Sequence, residues 1–104
     1  MKIKLHDYMW DVELVDPDDP DLENGKFDGR TSYKKLRIVV ANDQAADIIK
    51  ETLMHELTHA HLGMQGRYNQ RKLTTEEVCE FIGWNAESIV NNANKILKEW
   101  KVIK

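Results

Sequence analysis

Two histidines and a glutamate stand at a spacing that can do chemistry: His55, Glu56 and His59, in the order H-E-x-x-H. On a helix each residue turns the side chain by about 100°, so His55 and His59 emerge one turn apart on the same face. Both imidazoles can then reach one zinc ion at about 2.0–2.1 Å. Glu56 lies about 100° round from His55, beside such an ion and not aimed at it. That placement suits a general base for a water that the metal activates.

A hydrolytic zinc site takes three protein ligands and keeps one position open. A third histidine in the metzincin manner is ruled out, because Leu62 and Gln65 occupy the continuing positions. Cys79 is a possible soft ligand, but on an apolar stripe it reads as core. The acids Glu76, Glu77 and Glu80 remain. Thr74 and Glu77 form the capping-box pattern S/T-x-x-E, which gives Glu77 a structural role. Glu76 sits at the edge of the expected inward stripe and is the favoured third ligand. Glu80, four residues on, could orient a ligand imidazole through its other ring N–H. For a developing oxyanion, Tyr33, His61, Arg67 and Tyr68 are donors by proximity only.

These residues need elements to hold them. Residues 3–15 alternate loosely, with Trp10, Val12 and Leu14 on one side, as in a half-buried strand. Asp16 to Asp21 holds two prolines and four acids and reads as an exposed, solvated loop. Asn24-Gly25 and Asp28-Gly29 are turn dipeptides. A second strand region spans 31–41. Asn42 or Asp43 can cap the next helix, which runs from Gln44 to about Leu62 with Gly63 as its stop. A polar loop covers 66–72. The last helix opens at Thr74, with Leu73 and Val78 at hydrophobic-staple positions. It carries a stripe of Cys79, Ile82, Ala86, Ile89, Ala93, Ile96 and Trp100.

The 104 residues predict a single domain, 1–104, with a modest core. A net charge of −3 with scattered basic residues argues against nucleic acid as a partner. One cysteine excludes an internal disulfide and a four-thiolate metal site. The longest apolar run, Ile38 to Ala41, is far too short to span a membrane, and the N-terminus has no apolar h-region. A cytoplasmic protein is expected.

The stretches Gly29-Arg30-Thr31-Ser32-Tyr33, Leu36-Arg37-Ile38-Val39-Val40 and Thr52-Leu53-Met54-His55-Glu56-Leu57-Thr58-His59-Ala60-His61-Leu62 resemble the ImmA/IrrE-type metallopeptidases. The resemblance extends to a helix opening with a Glu-Glu pair, here Glu76-Glu77, and covers roughly residues 25–90. It is closest to their short phage- and prophage-borne members. It implies an α+β, minimal gluzincin fold: a small twisted antiparallel-type sheet over an active-site helix and a C-terminal glutamate helix. It implies zinc on His55, His59 and Glu76, with Glu56 catalytic. Its substrate would be a protein or peptide, and kinship points to a helix-turn-helix repressor.

Two other roles fit the same residues. A fourth protein ligand such as Cys79 would close the site and leave a zinc-binding interaction module. A latent enzyme would have its cleft covered by the helix from Asn91 onward. The strand at Arg37–Ala41 could pair with an extended peptide.

Overall fold

Strand alternation at the N-terminus resolves into a hairpin, not one strand. In the computed structural model, which describes residues 1–65 and 72–103, β1 spans Lys2–Leu5 and β2 spans Tyr8–Val15. The turn between them places His6 at a φ of 56°. Neither Gly nor Asn-Gly marks that turn, so it is invisible to turn chemistry. β3 (Gly29–Ser32) and β4 (Arg37–Ala41) form a second hairpin. Gly29 thus opens a strand, although Asp28-Gly29 reads as a turn. Helices α1 (Ala46–Met64) and α2 (Thr75–Glu99) follow.

The sheet order is β1-β2-β4-β3. The expected antiparallel sheet is in fact mixed, because β2 and β4 run parallel. The long segment between them, including β3, carries the chain back so that β4 enters in the same direction as β2. β4 therefore lies between two strands, and β1 and β3 are the edges. The expectation that Arg37–Ala41 could pair with a peptide is corrected. Burial explains the error: Ile38 to Ala41 is covered on both faces, so it reads as a continuous apolar run.

One face of the sheet carries Ile3, Leu5, Trp10, Val12, Ile38 and Val40 against the helices. The other carries Val39 and Ala41 against Leu22, from a short 3-10 turn at Pro20–Leu22. The acidic loop is tied down. Asp21 pairs with Lys35 (2.6 Å) and with Arg37, and Asp19 with Arg37 at 3.5 Å. The short basic run is thus the partner of the acidic one.

Helix α1 buries Ile49, Leu53, Leu57 and Ala60, one stripe at helical spacing. Its N-cap is Ala45, with no side-chain cap bond. Asn42 is engaged with Asp16 instead, and the Gln44 amide with the Ala41 carbonyl. The helix continues through Gly63 to Met64. A Cβ at Gly63 would fall within the ring of Tyr33, so this glycine serves close packing and not termination.

The start of α2 matches its capping signature: Thr74 accepts from the Glu77 N–H at 3.1 Å, and the Glu77 carboxylate from the Thr74 N–H at 3.0 Å. Its inward stripe differs from the expected one. Phe81, Asn85, Ile89, Ala93, Ile96 and Leu97 are buried, while Cys79 is exposed and Ile82 is 55% exposed. Asn85 is a polar member of the true stripe, which hid it. Its amide donates to the Phe81 carbonyl at 2.9 Å and its Oδ1 accepts from Gln65. No helix among the described residues is long and apolar enough to cross a membrane.

Candidate metal and acid-base site

α1 presents three flanks beside its core stripe. Glu56 and Thr52 face Gly29 of β3, and Gly63 faces Tyr33 just past its end. His55 and His59 lie further round, exposed to solvent. His61 is on the opposite flank, about 200° past His59. It is buried with its Nδ1 2.8 Å from the Leu57 carbonyl and its Nε2 3.4 Å from Ser88 Oγ. Burial holds the His61 imidazole below the usual histidine range, opposed in part by the bond to Leu57. His61 therefore packs α1 onto α2 and does not face the histidine pair.

The Nε2 atoms of His55 and His59 are 3.1 Å apart. Two nitrogens on a tetrahedral zinc, each at about 2.0–2.1 Å, would stand about 3.3 Å apart. The pair is therefore set as two adjacent ligands would be. Both histidines are exposed, so a metal could reach them from solvent.

Glu56 is buried, with 7% of its surface exposed. Its Oε1 accepts a hydrogen bond from Thr31 Oγ1 at 2.8 Å. It shares with His55 a cleft that Gly29, Ile48, Glu51 and Thr52 also line. Three residues of the edge region thus meet α1 at spacing two. Gly29 lies under Thr52 and Glu56, Thr31 holds Glu56, and the Tyr33 hydroxyl donates to the His59 carbonyl at 2.6 Å. Thr31 carries no role in the sequence reading. Its signal was the period-two pattern Gly29-x-Thr31-x-Tyr33, visible only once 29–32 is known to be a strand.

The acids of α2 are placed elsewhere. Gln65 meets Asn85, and His61 meets Ser88, so α2 runs antiparallel along the His61 flank. Its first turns project past the end of α1. Glu76 is exposed, nine residues or about 13 Å of rise before Asn85. It also lies about 140° round from Phe81, off the true inward stripe. Glu80 lines a different cleft, with His6, Phe81 and Trp84. Among the described residues, no three of His, Cys, Asp and Glu are gathered closely enough to hold a metal ion. The structure brings His55, Glu56 and His59 together and does not bring Glu76 or Cys79 to them.

The oxyanion candidates divide similarly. Tyr33 and His61 are engaged as described, and Arg67 and Tyr68 lie outside the described residues. At the end of α2, Ala93, Ile96 and Leu97 belong to the core.

Comparison with protein families, with curated proteins and with solved structures returns no match.

Proposed function

We propose that this chain is a zinc-dependent peptide hydrolase, with His55 and His59 as metal ligands and Glu56 as general base. The observation that carries the reading is the 3.1 Å approach of two exposed imidazole nitrogens beside a buried, hydrogen-bonded carboxylate. Zinc, when bound, supplies a Lewis acid and makes a bound water easier to deprotonate. Glu56 accepts the proton of the attacking water and returns it to the departing amine.

Glu76 enters this proposal as the third ligand on the resemblance and because the capping box engages its neighbour Glu77. That role requires the opening turns of α2 to cross to the solvent flank of α1 when metal binds. Coupling between metal binding and local folding is the general rule for such sites. A peptide substrate would pair with the open edge of β3. A phage or prophage helix-turn-helix repressor is the substrate that the resemblance implies.

A second reading has one observation in its favour. Two histidines with no third ligand gathered among the described residues also suit a zinc-binding interaction module that does no chemistry. Glu56→Gln separates the two. The hydrolase loses cleavage and keeps zinc, whereas the module keeps every function it has.

A further inference from the structure

The two oxygens of Glu56 have different surroundings. Oε1 accepts from Thr31 Oγ1 at 2.8 Å. The same hydroxyl lies 3.1 Å from the Glu56 carbonyl. One hydroxyl has one proton, and the nearer acceptor takes it. Oε2 faces Gly29. A Cβ built there would stand 3.4 Å from Oε2, 3.2 Å from Glu56 Cγ and 2.5 Å from Thr52 Cγ2. The missing side chain leaves the space beside Oε2 open to the cleft that His55 lines.

The backbone of the same two residues points outward. Asp28 accepts from the Ala41 N–H at 2.8 Å, opposite it in the ladder. Bonded pairs alternate along an antiparallel ladder, so Arg30 and Ser32 also turn their N–H and C=O groups toward β4. Gly29 and Thr31 turn theirs to the open edge.

We infer that Thr31 is a positioning residue that anchors Oε1 of Glu56 and leaves Oε2 as the proton-accepting oxygen. This rests on the reading of Glu56 as the base. Its consequence is that one strand sets both terms of the reaction. A peptide paired to the backbone of Gly29 and Thr31 is held in register by the residue whose hydroxyl aims the base.

The test uses full-length zinc-loaded protein with Thr31→Val and Thr31→Ser. Thr31→Ala is read in place of Thr31→Val if the latter does not fold. The first readout is the side-chain carboxyl resonance of Glu56 in protein labelled with carbon-13 glutamate, assigned by its loss in Glu56→Gln. The second is hydrolysis of a mixture of internally quenched peptides. Thr31→Val is expected to shift the Glu56 resonance and lower kcat about 10- to 100-fold, with KM nearly unchanged. Thr31→Ser should restore both. An unshifted resonance in folded Thr31→Val overturns the inference, as does Thr31→Ser remaining as impaired as Thr31→Val. If the wild type cleaves none of the peptides, the hydrolase reading loses its support. The resonance then decides by itself whether Thr31 holds Glu56.

Discussion

The Tyr33 hydroxyl donates to the main-chain carbonyl of His59, and the Tyr33 ring lies against Gly63 one turn further on. The second histidine is thus fixed through its backbone by a residue just past the edge strand. The Tyr33 ring also meets Trp10 edge-on, with centroids 6.2 Å apart, which links the site to the middle of the sheet. Tyr33→Phe should cost about 0.5–1.5 kcal/mol by removing the hydrogen bond. Gly63→Ala should cost more, about 1–3 kcal/mol, because its methyl group overlaps the ring. Urea unfolding of the two variants checks the order.

Glu56→Gln keeps the shape of the side chain and removes its ability to take a proton. The expected result is unchanged zinc stoichiometry with peptide cleavage down about 10²- to 10⁴-fold. Metal analysis and a peptide assay on the same preparation check both halves. Cleavage at the wild-type rate would remove Glu56 from the chemistry.

The acids at the start of α2 make separable predictions. Glu76→Gln should weaken zinc binding at least about tenfold if Glu76 is the third ligand. Glu77→Ala should leave zinc affinity alone and cost about 0.5–2 kcal/mol of stability, because it breaks the capping box. Calorimetric zinc titration and thermal melting read the two effects. Wild-type zinc affinity in Glu76→Gln would assign the third position elsewhere.

Asp21 makes the acid side of stability testable. Hydrogen bonds from Lys35 and then Arg37 hold its carboxyl below the usual aspartate range. A depressed pKa in the folded state stabilises at pH above the unfolded value of about 3.9. That contribution is lost as pH falls through the folded value. Asp21→Asn should therefore be less stable than wild type at pH 7, by about 1 kcal/mol for a partly exposed pair. The gap should close in strongly acidic solution. Denaturant unfolding at both ends of the range measures it.

Much of the site was legible because its signals are local. The i, i+4 histidines lie on one helix, and the Thr74–Glu77 capping box has the predicted bonds. What escaped depends on partners distant in sequence. Gly29 reads as a turn residue until α1 is seen lying on it. The strand Arg37–Ala41 reads as able to pair with a peptide until strands are found on both sides of β4. The α2 stripe was misplaced because apolar residues at 79 and 82 outweighed a buried asparagine at 85. That asparagine is satisfied by the Phe81 carbonyl and by Gln65. The same difference in the buried face places Glu76 on the exposed side of α2.

The most direct test of the central claim is a crystal structure of the zinc-loaded protein with anomalous scattering measured at the zinc edge. The account predicts one zinc peak bonded to the Nε2 atoms of His55 and His59 at about 2.0–2.1 Å, on the solvent flank of α1 next to the one that faces β3. A zinc held by other residues, or no zinc bound with both histidines intact, would contradict it.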